Sequence, residues 1–304
     1  MSQLINVPLE SYLLAQKSAP IDCLICGREN CSSAERCTRC SAPIALSRLA
    51  GEGRRAPRLI SVVGASGVGK TVFLGTMMDM LVRRVGGLRA AVRGPHSIGL
   101  QQQTTTALAS GGYPDPTHTE AEHWNWVHCQ IECSRRGRPT EIVFADAAGE
   151  AWAAEADHPG AYAALSALLA KSAGLIVVAD AQRLHAGDHS DDFVVHKLLS
   201  QLEEKPGRWT TRTNALAKRP LALVFTKADV CQSCLDRPRE FAEAHAASLL
   251  NDCEARFANI RVFGASVAGC SAIRELNGRR RNVPLRIEPQ GVVEPFGWLL
   301  SQIA

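Results

Sequence analysis

Leu59-Ile60-Ser61-Val62-Val63-Gly64-Ala65-Ser66-Gly67-Val68-Gly69-Lys70-Thr71 is the stretch that decides the fold. Leu59–Val63 is an apolar run of β type and reads as a strand. It feeds a glycine-rich turn with four residues between Gly64 and Gly69, closing in Lys70-Thr71. That is the P-loop spacing. Glycines allow close approach and unusual φ/ψ, so the backbone N–H groups from Gly64 through Ala65, Ser66, Gly67 and Val68 to Gly69 can wrap a diphosphate. Lys70 would reach the β/γ-phosphates and the Thr71 hydroxyl would hold Mg²⁺. Val72–Val85 reads as the following helix, whose N-terminus favours anions. A plain glycine-rich turn between two core elements would leave Lys70 unexplained.

Toward the N-terminus, residues 21–45 carry two knuckles, Cys23-x2-Cys26 and Cys37-x2-Cys40, ten residues apart. Four thiolates on two such turns close a tetrahedral Zn²⁺ site. A segment this short has almost no core, so metal binding would supply its folding energy. Cys31 is surplus to the four ligands. The chain has eleven cysteines, and five of them lie in this one cluster, which favours metal over disulfides. Residues 1–20 read as a tail with a short helix from Leu9 to Lys17, and residues 46–57 as a linker kept solvated by Arg54 and Arg55. The zinc module is expected as a separate knob before a nucleotide domain spanning 58–304.

Toward the C-terminus, Leu88–Arg93 reads as a short strand and Ser97–Ser110 as a helix. A breaker-rich passage, Gly111–Thr119, precedes a strand at His123–Cys133. Ser134–Pro139 turns the chain into Thr140–Ala145, antiparallel because the connection is short. That strand runs into Asp146-Ala147-Ala148-Gly149-Glu150. A carboxylate at the C-terminal end of an apolar strand is what a Mg²⁺ site requires, and the small Gly149 lets a backbone N–H approach a γ-phosphate. A lone D-x-x-G is also a common turn; its place after the second strand beyond the P-loop gives it meaning. Helices are expected at Pro159–Lys171, Asp191–Glu204, Pro238–Phe257 and Val292–Ile303, and strands at Ala173–Ala179, Arg219–Phe225 and Ile260–Ala265. Val267–Gln290 reads as irregular and basic, Arg279–Arg281 as solvated, and Cys231-x2-Cys234 as loop. The strand Arg219–Phe225 leads into Thr226-Lys227-Ala228-Asp229. The Asp229 carboxylate can accept from both N1–H and the exocyclic amine of guanine, while the Lys227 stem lies across base and ribose. Backbone N–H groups of the small turn at Ala265-Ser266 can touch the guanine O6.

In order, GASGVGKT, DAAGE, TKAD and GAS, set among alternating strands and helices, resemble the translation-factor-related GTPases, the Ras-like and Rag-like class. More narrowly, the zinc ribbon, the Gly-Gly-Tyr-Pro insertion and the C-terminal Glu-Pro-Phe-Gly-Trp resemble bacterial double-GTPase proteins. The resemblance implies an α/β fold, a doubly wound and mostly parallel sheet with a small zinc-ribbon module. It implies GTP/GDP bound with Mg²⁺ on Thr71 and Asp146, Gly149 sensing the γ-phosphate, and Lys70 serving catalysis. It also requires a switch threonine. Thr117 is the choice, with Thr119 and Thr104–Thr106 as alternatives that spacing does not separate. Glu150 departs from the class by standing where a glutamine positions water, and Ser66 by replacing a glycine. Both point to slow or partner-dependent hydrolysis. A protein effector or regulator is expected, and the resemblance leaves room for a GTPase dimer.

The rival readings are a P-loop ATPase, an adaptor whose nucleotide is structural, and a zinc-ribbon nucleic-acid binder. A net charge of +4 over 304 residues disfavours the last. With 46% hydrophobic and 21% charged residues a packed core is expected. No apolar run has the length of a membrane span, and the N-terminus lacks a secretory pattern. A cytoplasmic enzyme is the expectation.

Overall fold

A computed structural model describes residues 19–53, 56–133, 139–204, 218–276 and 279–303. The expected Leu9–Lys17 helix, Arg54, Arg55 and most of the 134–139 turn lie outside the described residues. Two short strands, β1 (Ile21–Asp22) and β2 (Glu29–Asn30), pair antiparallel beneath the knuckles and lead into helix α1 (Ile44–Glu52). The P-loop strand is β3 (Arg58–Val63), followed by α2 (Lys70–Val82), β4 (Leu88–Val92), α3 (His96–Ala109), β5 (Asn125–Cys133) and β6 (Thr140–Asp146). Next come α4 (Gly149–Asp157), α5 (Ala163–Lys171), β7 (Gly174–Asp180), α6 (Ala181–His185), α7 (Asp192–Glu204) and β8 (Pro220–Thr226). The chain continues through α8 (Gln232–Asp236), α9 (Pro238–His245), α10 (Ala247–Arg256), β9 (Asn259–Gly264), β10 (Ser266–Leu276), β11 (Arg279–Gln290) and α11 (Glu294–Ile303).

The central sheet has seven strands in the order β4-β5-β6-β3-β7-β8-β9. All neighbours from β6 to β9 are parallel, and β5 alone runs against both of its partners. Every residue of β7 and β8 is buried, as expected of parallel strands covered on both faces. Alternation along β3 separates the two covers. Leu59 and Val63 face the cluster that holds Leu168, Leu199, Phe241 and Leu250, whereas Ile60 and Val62 face Phe73, Met77, Phe296 and Leu299. The order leaves β3 to its β6 side and then returns to its β7 side. Such a reversal opens a crevice at the carboxyl ends of the strands.

Five expectations are corrected. The linker 46–57 is largely the helix α1, and the zinc module is no separate knob. Cys23, Ile25, Ile44 and Leu46 belong to the same apolar cluster as one face of the sheet, and Lys171 Nζ of α5 donates to Ile25 O at 2.7 Å. Burial of that small apolar set against a ready-made sheet face removes more apolar surface from water than the module can alone. The Pro238–Phe257 helix breaks at Ala246 (φ −143°, ψ 34°), with α9 packed against β9 and α10 packed against α7. Cys234 lies in the short helix α8 and is buried. Val267–Gln290 is a long antiparallel hairpin, not an irregular loop. Register shifts between Ser266 and Ser271 break the period-2 pattern that would have announced it. Backbone positions Arg279–Arg281 are in β11; their side chains are outside the description.

Candidate nucleotide and metal sites

The crevice collects the sequence motifs on neighbouring strand ends. Gly67 (φ 74°) and Gly69 (φ 89°) take the left-handed turns that the P-loop requires. Lys70 opens α2 and folds back, donating from Nζ to Gly64 O at 3.0 Å and Ala65 O at 2.8 Å. It is only 6% exposed, and burial lowers its ammonium pKa to about 8, against the pull of the Asp146, Glu150 and Asp191 carboxylates.

Asp146, 1% exposed, ends β6 beside the P-loop. Burial raises its pKa, opposed by Lys70 and by hydrogen bonds from Thr71, Thr117 and Asn125. The Thr71 and Thr117 hydroxyls are 2.8 Å apart; Thr71 lies 3.2 Å from Asp146 Oδ1 and Thr117 3.2 Å from Oδ2. Two hydroxyls and a carboxylate, each oxygen 2.8–3.2 Å from its neighbour, make an all-oxygen set that suits Mg²⁺, whose octahedron at ~2.0–2.1 Å places neighbouring oxygens about 2.9 Å apart. Of the alternative threonines, Thr104 is buried, its hydroxyl 3.5 Å from Thr71 O, and packs on Gly75 of α2, where a Cβ would meet Thr104 Oγ1 at 2.0 Å. Thr105 bonds within α3 and Thr106 and Thr119 are exposed.

Gly149 begins α4 pressed onto the P-loop. A Cβ there would lie 2.1 Å from Ser66 N and 2.3 Å from Ala65 C, so no other residue fits without moving backbone. The next residue, Glu150, accepts a 2.5 Å hydrogen bond from Ser66 Oγ. That bond, ahead of the weaker pull of Lys70, lowers its carboxyl pKa. The two positions that depart from Ras-like proteins are therefore one interaction.

At the other end of the crevice Thr226 Oγ1 sits 2.5 Å from Val68 O and 3.0 Å from Ala179 O, tying β8 to the P-loop and β7. Lys227, left-handed at φ 55°, donates from Nζ to Gly67 O at 2.8 Å and to Asp180 Oδ2 at 2.5 Å. Asp229 accepts from Ser266 Oγ at 2.7 Å, and Ala228 N donates to Ala265 O, so the TKAD and GAS turns form one wall. Asp180 is the residue that sequence reasoning missed. Its Oδ1 caps α6 through Gln182 N and Arg183 N while Oδ2 aims Lys227. Its signal was present: a carboxylate ending the apolar run of β7, as Asp146 ends that of β6.

The sulfur atoms of Cys23, Cys26, Cys37 and Cys40 all lie within 4.8 Å of one another, with Cys23–Cys40 at 3.6 Å and Cys26–Cys37 at 3.5 Å. Zinc–sulfur bonds of ~2.3 Å in a tetrahedron set sulfurs about 3.8 Å apart, so the cluster can hold zinc. Asn30 Nδ2 and Arg39 N point donors at Cys37 Sγ, at 3.6 and 3.4 Å. Cys31 is exposed and bonded to Ser33, outside the set. Among the described residues the four-cysteine set is the one group of three or more His, Cys, Asp or Glu side chains close enough to share a metal ion, and Cys231 and Cys234 are not part of such a group. No described helix is long and apolar enough to cross a membrane.

No curated protein matches the chain. The profile of the family described as Double-GTPase 2 matches residues 58–276, from the first residue of β3 to the last of β10. A strand-ended P-loop, a buried Asp146 beside it and a TKAD–GAS wall thus coincide with a family match across most of the chain: it belongs to the Double-GTPase 2 family, and guanine-nucleotide binding follows from that membership.

Proposed function

We propose that the chain is a GTP/GDP switch whose hydrolysis is slow or partner-dependent, with the zinc ribbon as a docking module for a protein regulator or effector. The observation that carries this reading is the Thr71–Thr117–Asp146 triangle. Thr117 comes from the long connection between α3 and β5, so a ligand that engages its hydroxyl orders that connection and one that does not releases it. P-loop amides and Lys70 bind the phosphates, and Asp229 with Ser266 selects the base. Mg²⁺ on Thr71, Thr117 and Asp146 supplies neutralisation of the charge on the β/γ-phosphate oxygens. Zinc supplies the ribbon's folding energy.

Glu150 bears on rate. Its carboxylate can accept a hydrogen bond from an attacking water but cannot donate one to the γ-phosphate. The Ser66 hydroxyl holds one of its oxygens. The same bond supports a second reading, an adaptor that keeps its nucleotide with negligible hydrolysis; single-turnover assays with and without cell extract separate the two. The primary test is mant-GDP binding in Mg²⁺, competed by GTP and by ATP, with wild type beside Asp229→Asn. GTP should compete, ATP should not, and the variant should shift toward xanthine nucleotide. Equal competition by ATP would sink the guanine reading.

A further inference from the structure

The phosphate and base ends of the crevice are joined by a bond that the motifs do not predict. Tyr113, in the Gly111–Thr119 passage, has its hydroxyl 2.8 Å from Ser271 Oγ on β10. Four residues beyond Tyr113 is Thr117, held at Thr71 and Asp146. Five residues before Ser271 is Ser266, which positions Asp229. Strand β10 packs against α2 and against the turn Ala228–Val230 that carries Asp229. Both residues are half-buried. The 158-residue span in sequence is thus closed by one side-chain contact between the connection that bears the switch threonine and the hairpin that continues the base wall.

We propose that the Tyr113–Ser271 hydrogen bond is a clasp that closes the crevice over the bound nucleotide and sets how fast it leaves. The inference rests on the guanine-nucleotide reading above. A nucleotide whose phosphates lie at Thr71 and whose base lies at Asp229 spans the two anchors, so it leaves only when the Tyr113 passage parts from the hairpin. Tyr113 is a positioning residue and takes no part in the chemistry. Burial raises its phenol pKa, and the nearby Asp229 carboxylate raises it further, against the lowering by Ser271. The hydroxyl therefore keeps its proton and the clasp works across the neutral range.

The test is release of mant-GDP chased by excess GDP in Mg²⁺, for wild type, Tyr113→Phe, Ser271→Ala, the double variant and Ser271→Thr. A net hydrogen bond corresponds to about 2- to 12-fold in rate. Each hydroxyl deletion should speed release by that factor, the double variant should be no faster than either single, and Ser271→Thr, which keeps the hydroxyl, should release near the wild-type rate. The preference for GTP over ATP should not move and the melting temperature should fall by no more than the few degrees that one hydrogen bond carries, while recovery of the wild-type release rate in Ser271→Thr distinguishes positioning from a merely structural role. Unchanged release in Tyr113→Phe, or single effects that multiply in the double variant, overturns the clasp. If wild type takes up no mant-GDP, the nucleotide reading has failed. Amide exchange over residues 111–119 then reads the contact itself: faster exchange in both single variants upholds it, and equal exchange removes it.

Discussion

Gly149→Ala places one methyl group between two pieces of backbone. The added carbon would lie 2.1 Å from Ser66 N and 2.4 Å from Ser66 Cα. Non-bonded Cβ atoms do not approach closer than 3.0 Å, so either the P-loop or the start of α4 must retreat by about 0.9 Å. Neither is a flexible side chain. The P-loop is pinned by Lys70 on Gly64 O and Ala65 O, and by Thr226 on Val68 O. Overpacking of this kind costs about 1–3 kcal/mol, which lowers the melting temperature by roughly 2–12 °C for a domain of this size. Because the yielding atoms are those that wrap phosphate, mant-GDP affinity should fall by about tenfold or more, beyond what lost stability accounts for. Gly51→Ala is the control: it lies in α1 with open space around its Cβ position, and replacing a helical glycine should stabilise by ~0.5–1 kcal/mol. If Gly149→Ala melts and binds like wild type, α4 does not bear on the P-loop as described and Gly149 has no claim on the phosphate site.

Glu150→Gln should raise single-turnover GTP hydrolysis by about an order of magnitude, since an amide can accept from water and donate to phosphate; loss of hydrolysis instead would make the carboxylate itself catalytic. Lys70 gives a pH dependence whose sign follows from linkage. Its pKa is about 8 in the nucleotide-free protein, and a bound phosphate favours the charged form and raises it. Affinity for mant-GDP should be level below pH 8 and weaken above it, by up to about tenfold at pH 9; a flat profile from pH 7 to 9 would exclude a charge change at Lys70. Metal analysis should find one zinc per chain, lost in Cys37→Ser. Since Ile25, Ile44 and Leu46 share a cluster with the sheet, calorimetry of that variant should show the main transition lowered, whereas an unchanged transition would mean that the ribbon folds apart from it.

The elements written in contiguous residues are legible in the sequence alone. β3, β7 and β8 follow from unbroken apolar runs, the P-loop from its glycine spacing, and the cysteine cluster from two C-x2-C knuckles, because each depends on neighbours a few residues apart. Element ends moved by one to four residues, as with α5, which begins at Ala163 and not Pro159. What the sequence left open lies in contacts between distant residues. Nothing in the spacing ranks Thr117 above Thr119 or Thr104; the fold brings the Thr117 hydroxyl to Asp146 and spends Thr104 on packing against Gly75. Periodicity tells which face of a helix is apolar but not what covers it. The docking of α1 and the ribbon, and the break at Ala246 where the packing partner changes from β9 to α7, therefore appear only once the sheet exists. The hairpin β10–β11 was hidden by bulges that shift its alternation. The Ser66–Glu150 and Lys227–Asp180 pairs, and the Tyr113–Ser271 contact, each join residues tens to more than a hundred positions apart. The chemistry of each partner is written locally, while the pairing is set by where the strand ends meet.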